Sequence, residues 1–456
     1  MNPPATGGFL CYNYIMSKLE DIVSLCKRRG FIFPGSDVYG GMAGTWDFGP
    51  LGVSLKRKIM QEWWSFWVDQ RDNMYGVDAA IIMNPKTWEA SGHVATFNDP
   101  LVECKECRGR FRADKLVDGY GEGITDEEFL AAGAKCPTCG KQNWSEIRKF
   151  NMMFQTHIGP VSDDEHIAYL RPETAQGIFT NFKNVVDTIY PNLPFGIAQQ
   201  GKAFRNEISP RDFILRDREC SQMEIEYFVK PDTWEAEFEK LRAEQHEFLE
   251  QVIGLPKEMI HEYDVPAEDR AHYSKRTIDF MFDYPNGEEE LMGLAYRTDF
   301  DLSNIQENSG KSMEYRDKNT GESFVPHVIE PSIGVERLIL AVLSAAYHEE
   351  ELEGGDKRTV LKLPENLAPY KYCVSPLLKN KPELVAKAKE VFEILKQKYT
   401  FVTWDDSGNI GKRYRKQDEI GTPKCVVVDF ESLENDDVTV RDRDTTEQVR
   451  VKVREI

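Results

Sequence analysis

Between Lys202 and Phe228 the chain reads Lys202-Ala-Phe-Arg-Asn-Glu207, then Ile-Ser-Pro-Arg-Asp212, and then Arg216-Asp-Arg-Glu-Cys-Ser-Gln-Met-Glu224-Ile-Glu226-Tyr-Phe228. Met223, Ile225 and Tyr227 alternate with Gln222, Glu224 and Glu226, the period of two that sends successive side chains to opposite faces of a strand. Arg205 and Glu207, two apart, share a face if 202–207 is extended as well, and the Ser-Pro-Arg-Asp cluster supplies a turn. The stretch therefore predicts an antiparallel hairpin with one apolar face and one face dense in Arg, Glu and Gln. Such a charge run is by default a solvated face of ion pairs. Here Arg205, Arg216 and Arg218 are interleaved with carboxylates, and a long apolar continuation places the strand centrally in a sheet. Guanidinium forks suit phosphates, which they grip with paired hydrogen bonds.

Downstream, Glu330-Pro-Ser-Ile-Gly-Val-Glu-Arg337 runs from a strand over 325–330 into a largely apolar helix over 333–347. Ser332 is the expected N-cap, Gly334 permits close approach, and Arg337 falls in the first turn. A helix N-terminus carrying an Arg is a site for phosphate.

Upstream, Leu19, Ile22, Val23 and Cys26 recur at helical spacing and Gly30 ends that helix. Residues 51–70 read as a long helix with Leu55, Ile59, Trp63 and Phe66 on one face, and 79–83 as a strand stopped by Pro85. Residues 231–290 read as a helical, acidic insertion, and 349–356 as a linker. Beyond Pro364, strands near 370–374, 400–404, 424–430, 437–442 and 448–453 alternate with helices near 382–397 and 412–419. That predicts a compact α/β domain.

The net charge of −20 argues against indiscriminate coating of nucleic acid, although a local basic face could still meet RNA. Residues 365–456 hold equal numbers of acidic and basic side chains, so residues 1–364 carry the whole excess. No apolar run approaches the ~18 residues of a membrane span. Residues 9–15 are too short and lack the basic flank of a secretory signal, so a reducing cytoplasm is expected. Met16 opens the first amphipathic pattern, and 1–16 is expected to be a disordered extension.

Cys104-x-x-Cys107 and Cys136-x-x-Cys139 can each turn two thiolates toward one tetrahedral ion, which predicts a closed, structural zinc site. His157 and His166 have no partner spacing for a metal. His93 is either a substrate contact or a donor that orders its loop. Trp63, Trp64 and Trp67 read as packing. Lys412-Arg-Tyr-Arg-Lys416, in the neutral C-terminal part, is the best candidate for phosphate contact with RNA.

The two charged stretches, in this order, resemble the second and third signatures of the class II aminoacyl-tRNA synthetases, Phe-Arg-x-Glu…Arg-x-x-x-Phe-x-x-x-Glu and Gly-Φ-Glu-Arg. The helix over 51–70 resembles the first, dimer-forming signature. Arg29-Gly-Phe-Ile-Phe-Pro-Gly-Ser36, Trp46-Asp-Phe-Gly-Pro-Leu-Gly52, Ala90-Ser-Gly-His-Val94, Leu170-Arg-Pro-Glu-Thr-Ala-Gln-Gly-Ile-Phe179 and Pro326-His-Val-Ile-Glu-Pro-Ser332 narrow the resemblance to the homodimeric glycyl-tRNA synthetase family over residues 17–456. One departure stands out: Cys220 occupies the place of the phenylalanine that stacks under adenine in that family.

The resemblance implies an α+β catalytic domain built on an antiparallel sheet (17–97 and 151–364, with the helical insertion near 231–290). It also implies a zinc-ribbon-like insertion (98–150) and an α/β anticodon-binding domain (365–456). It implies a reaction that joins glycine to its tRNA through glycyl-adenylate, with ATP, Mg2+ and structural zinc, in a homodimer. Arg205 and Arg337 would be catalytic. ATP would meet Arg205, Asn206, Glu207, Leu215, Arg216, Asp217, Arg218, Glu219, Cys220, Glu290, Leu291, Gly334, Val335, Glu336 and Arg337. Glycine would meet Arg112, Glu173, Cys220, Ser221, Gln222, Met223, Glu224, Arg297, Glu330, Pro331, Ser332, Ile333 and Gly334. Within that set Glu173, Glu224 and Glu330 would surround the ammonium and Arg297 would hold the carboxylate. The competing readings are a non-catalytic, synthetase-like polymerase accessory subunit and a class II synthetase for another amino acid.

Overall fold

The computed structural model describes residues 19–117, 121, 123–163, 166–271, 273–351 and 355–456. The extension expected at 1–16 lies outside them. Among the described residues, the largest sheet has seven strands in the order Ile260–Asp264, Arg276–Tyr284, Gly287–Thr298, His327–Gly334, Glu219–Val229, Phe195–Phe204 and Met74–Gly76. All neighbours are antiparallel except the last pair.

The predicted hairpin is present. Cys220 pairs with Ala203 and Glu224 with Gln199, and on its other edge Glu224 pairs with Ser332. Its apolar face, with Met223, Ile225 and Tyr227, is buried in the main core against Leu338, Ile339 and Val342 of the helix Val335–Ala346. The first arm stops at Phe204. Arg205 N–H still donates to Arg218 O at 2.9 Å, but Arg205 to Glu207 are coil, so the strand expected through Glu207 is shorter.

Several other expectations are corrected. Among its described residues the segment 231–290 is helical at Trp234–Glu247, the π-turn Phe248–Val252 and a 3-10 turn Lys257–Met259; Ile260–Asp264, Arg276–Tyr284 and the start of Gly287–Thr298 are strands of the main sheet. Ile278, Phe280 and Phe282 alternate into the core, and the acidic residues between them masked that period. No strand forms at 79–83, where Ile82 makes a single bridge to Leu170; the edge strand is Met74–Gly76. Ser332 lies within the strand His327–Gly334, and Gly334, with an extended backbone, is the N-cap.

The expected linker at 349–356 begins inside a hairpin pairing Tyr347–Glu351 with Lys357–Leu361. Arg358 from this hairpin is buried, 2.7 Å from Glu350 and 3.4 Å from Asp418. Arg441 makes two bonds to the same Asp418, and Arg443 donates to Leu363 O. The C-terminal part is thus tied to the preceding hairpin by buried charge. Its own sheet runs Val402–Trp404, Tyr372–Pro376, Lys424–Val428, Asp437–Asp442, Gln448–Lys452, with the first three strands parallel.

The long helix Pro50–Trp64 continues as a π-turn over Ser65–Asp69, burying Leu55, Ile59, Trp63 and Trp67. Between Asn98 and Asn151 a small three-stranded sheet (Arg110–Arg112, Asn98–Glu103, Arg148–Asn151) and the helix Asp126–Ala131 close over Val102, Phe129 and Trp144. Thr125 and Glu128 form a capping box that starts this helix.

Candidate active site

The polar face of the hairpin floors a cavity of about 410 Å3. Cys220, Gln222 and Glu224 line it from Glu219–Val229, and Glu330, Ser332 and Gly334 from the paired strand. Strand alternation does the sorting: the same residues that leave Met223 and Ile225 in the core put these groups on the open side.

At one end the helix Val335–Ala346 begins. Arg337 Nη1 donates to Glu290 O at 2.8 Å and lies 3.0 Å from its carboxylate, which Arg337 holds below the usual carboxylate range. Glu336 accepts from Ser221 N–H at 2.7 Å and from Lys56 Nζ at 2.6 Å, and Lys56 also donates to Ser221 Oγ at 2.8 Å. The helix Pro50–Trp64 is thereby joined to both charged stretches. Arg205 Nε donates to Pro172 O at 3.1 Å, and its guanidinium faces the Phe97 ring at 5.7 Å. Glu207 keeps one buried carboxylate oxygen without a hydrogen-bond partner. Burial, with Glu336 next to it, pushes the Asp217 carboxyl up to about 8.

At the other end lies a pit of carboxyls. Glu173, Glu224 and Glu330 line the cavity, with Glu226 and Asp301 buried behind them. One guanidinium serves this group: Arg297 bonds Asp301 through Nε (2.8 Å) and Nη2 (3.0 Å) and Glu330 through Nη1 (2.9 Å), and it stacks 3.8 Å from the Tyr273 ring. Glu224 accepts from Thr174 N–H at 2.9 Å and from the Thr174 hydroxyl. Burial, then the neighbouring Glu330 and Glu173, lifts Glu224 to about 8; burial lifts Glu330 and Glu226 as well. Glu173 goes the other way. Burial alone would raise it, but His93, Arg297 and Arg205 outweigh that and hold it near 2. Its Oε2 lies 3.3 Å from His93 Nε2, whereas Oε1 is buried without a partner. An array with more anions than cations, partly neutral in the absence of ligand, suits a small cation with several N–H donors.

The structure brings Arg112, Glu173, Arg205, Glu207, Leu215, Arg216, Asp217, Cys220, Gln222, Glu224, Glu290, Leu291, Glu330, Ser332, Ile333, Gly334, Glu336 and Arg337 together around the cavity. It does not bring Asn206, Arg218, Glu219, Ser221, Met223, Arg297, Pro331 or Val335 to its lining. Met223 and Val335 are core, Arg218 donates to Glu207 O and Ala43 O, and Glu219 pairs with Lys202 on the surface. Arg297 is wholly buried behind the lining, tied to carboxylates. Sequence reasoning missed Met152, Ile214 and Tyr273 in the lining, and Thr174, Asp301 and Lys56 behind it. Thr174, inside the quoted 170–179 string, and Asp301, which closes the string Tyr296-Arg-Thr-Asp-Phe-Asp301 around Arg297, had a signal; the rest join the site only by folding.

The four cysteines converge. Their sulfurs lie within 4.8 Å of one another, with Cys104–Cys139 at 3.6 Å and Cys107–Cys136 at 3.5 Å, so this cluster could hold a zinc ion. The Lys412–Lys416 run is largely engaged. Arg413 is buried and donates to the carbonyls of Pro376, Asp406, Ser407 and Gly408, Lys416 pairs with Asp405, and Arg415 reaches Lys357 O. Lys412 is exposed. No described helix is long and apolar enough to cross a membrane.

Residues 154–346 match the family described as tRNA synthetase class II core domain (G, H, P, S and T), and residues 371–456 match the anticodon binding domain family. A glycine–tRNA ligase of Macrococcus caseolyticus is 48% identical over 455 residues, covering 96% of this chain and 97% of that protein. The glycine–tRNA ligase of Malacoplasma penetrans is 49% identical over 446 residues, with 96% of each chain covered. Among solved structures, Giardia lamblia prolyl-tRNA synthetase in complex with prolyl-adenylate superposes with a TM-score of 0.66 at 15% identity, covering 97% of this chain and 76% of that one, a likeness of fold alone. From the synthetase core beneath the cavity and from relatives of this identity over nearly all of its length, the chain belongs to the glycine–tRNA ligase family of class II aminoacyl-tRNA synthetases.

Proposed function

We propose that the cavity activates glycine with ATP and passes the glycyl group to the 3′ end of its tRNA. The observation that carries this reading is the carboxyl pit of Glu173, Glu224 and Glu330 opening onto the same cavity as Arg205, Arg216 and Arg337. Glycine enters with its ammonium among the carboxyls. Its carboxylate oxygen attacks the α-phosphorus of ATP; the new O–P bond forms as the bond to the leaving pyrophosphate breaks. The carboxylate is already a nucleophile, so no general base is required. The catalytic work is alignment and stabilisation of charge. Arg205 grips the α-phosphate, Arg216 the distal phosphates, and Arg337 the γ-phosphate while lying over the adenine. Glu207, with its unpartnered oxygen, receives the adenine amino group. Arg297 acts on the glycine carboxylate through the electrostatics of the pit, because Glu330 and Asp301 take its donors.

A side chain on the substrate would have to displace packed carboxyls, which discriminates against larger amino acids more strongly than a roomy pocket could. The Glu290 carboxylate beside Arg337 would help to hold a Mg2+, which would draw charge from the phosphate oxygens. The full working unit is a cytoplasmic homodimer that binds tRNA for glycine through the catalytic domain (17–97 and 151–364) and the anticodon-type domain (365–456). Glycine-dependent ATP–pyrophosphate exchange tests the reading. Exchange that needs glycine, with alanine and proline inert, is the expected result; no exchange would favour an accessory subunit that keeps the fold without the chemistry.

Zinc at Cys104, Cys107, Cys136 and Cys139 completes the 98–150 unit, whose core is small. Four sulfurs within 4.8 Å of one another supply the ligand set that such an ion needs. Cys136→Ser should release the metal and expose residues 98–150 to proteolysis, read by elemental analysis and limited digestion. A variant that retains one zinc per chain would overturn this assignment.

Cys220 bears on adenine binding. Its thiol lines the cavity together with Arg337 and offers less area than a phenyl ring. Stacking on a base is worth about 1–3 kcal/mol. Cys220→Phe should therefore lower the ATP KM several-fold and leave the glycine KM unchanged. Unchanged or weaker ATP binding at normal thermal stability would show that the base is held in another way.

A further inference from the structure

His93 has no place in the roles above, yet it is built into the wall of the pit. It begins a four-residue helical turn, His93–Thr96, after Gly92, whose φ of 85° lies in the left-handed region. Asn151 Nδ2 donates to His93 O and Val94 O, tying this turn to the strand Arg148–Asn151. The ring meets Trp88 edge-on at 5.4 Å and packs at 5.7 Å from Phe97, the same ring that faces Arg205. Ser91 Oγ lies 2.8 Å from Nδ1. With that nitrogen engaged, the other, Nε2, stands 3.3 Å from Glu173 Oε2. An ionised carboxylate only accepts hydrogen bonds, so Nε2 carries the proton and donates it.

We propose that His93 is a positioning residue for glycine binding: its Nε2–H holds Glu173 Oε2 so that Oε1 stays open to the substrate ammonium. This rests on the reading of Glu173 as an ammonium ligand. Three observations support it together. Oε1 is a buried oxygen without a partner, on a residue that lines the cavity. Its neighbours hold the Glu173 carboxyl down near 2, whereas burial and neighbouring carboxyls lift Glu224. The imidazole is packed against the Trp88 and Phe97 rings and engaged at Nδ1 by Ser91, which fixes the direction of its N–H. Without that donor, Glu173 would be free to turn Oε1 toward Arg205 or Arg297, both of which act on it electrostatically.

The test compares steady-state pyrophosphate exchange for His93→Phe, His93→Gln and Glu173→Gln in the full-length protein, with thermal melts alongside. Phe keeps the ring contacts and loses the donor; Gln places its Nε2 at the same bond distance from Cα as the imidazole Nε2. His93→Phe should raise the glycine KM about tenfold to a hundredfold, the size of one hydrogen bond to a charged group, with the ATP KM within about twofold of wild type. His93→Gln should recover most of that loss. Glu173→Gln should also raise the glycine KM; if it does not, the glycine site itself has been misread. If Glu173→Gln raises it while His93→Phe does not, or if His93→Phe raises both KM values alike, or if Gln rescues nothing, the positioning role is overturned. Should His93→Phe fail to fold, Ser91→Ala removes only the hydroxyl behind the ring. A several-fold rise in glycine KM alone then supports the proposal, and an unchanged glycine KM refutes it.

Discussion

Arg337→Ala should cut glycine-dependent adenylate formation by at least about 10²-fold, with little effect on stability. Loss of one preorganised charge contact to a transition state typically costs that much. The structure makes the contact preorganised: Arg337 sits in the first turn of a largely buried helix, and Glu290 fixes its guanidinium through both a carbonyl and a carboxylate oxygen. Its side chain is still about a quarter exposed, so truncation leaves a water-accessible gap and Glu290 can be solvated. The loss should appear in kcat more than in either KM, because charge at the phosphates builds up during transfer. Single-turnover adenylate formation within tenfold of wild type would remove Arg337 from the chemistry.

Arg297→Met should have the largest effect on folding. Its guanidinium is fully buried, and its donors go to Asp301 and Glu330. Methionine fills much of the volume against Phe179 and Tyr273 but leaves two carboxylates without their cation. Breaking a buried pair in this way costs about 3–5 kcal/mol. The pH dependence follows from the carboxyls that remain. Burial already holds Glu330 and Glu226 above the ordinary range, and without Arg297 their folded-state values would rise further. A carboxyl whose folded value lies above its unfolded one costs stability as pH rises through that folded value. The deficit of the variant should therefore grow as pH rises above the ordinary carboxylate range and shrink as pH falls back into it, as read by urea unfolding. A loss below about 1 kcal/mol, or one independent of pH, would mean that the pit does not depend on this cation.

The elements that were legible in the sequence share a strong local pattern. In the strand Glu219–Val229 polar and apolar residues alternate from Gln222 to Tyr227, the helices Pro50–Trp64 and Pro382–Lys398 keep their apolar residues on a helical stripe, and Val335–Ala346 contains the continuous apolar run Leu338–Leu343. The four cysteines declared a common site because a paired spacing leaves few other uses for them. Eighteen of the residues expected at the active site do line one cavity, since strand alternation fixes which side chains face it once the register is known.

Other features depended on contacts between distant segments. The strands Ile260–Asp264 and Arg276–Tyr284 were read as helix because their exposed faces are acidic; what makes them strands is the ladder through Gly287–Thr298 to His327–Gly334. Ser332 has the chemistry of an N-cap, but sheet pairing with Glu224 and Gly293 holds it extended, and the helix starts at Val335. The Lys412–Lys416 run looked free and is mostly spent on backbone carbonyls and carboxylates, which no spacing rule reveals. Local pattern alone places Glu224 and Glu330 on strands and Arg337 at the start of the following helix. Their protonation states depend on contacts made by folding. Glu173 is held ionised by His93, brought from 80 residues upstream, while Glu224, on a central strand and facing two other carboxyls, keeps its proton. Burial and charge proximity set those states, and both exist only when the chain is folded.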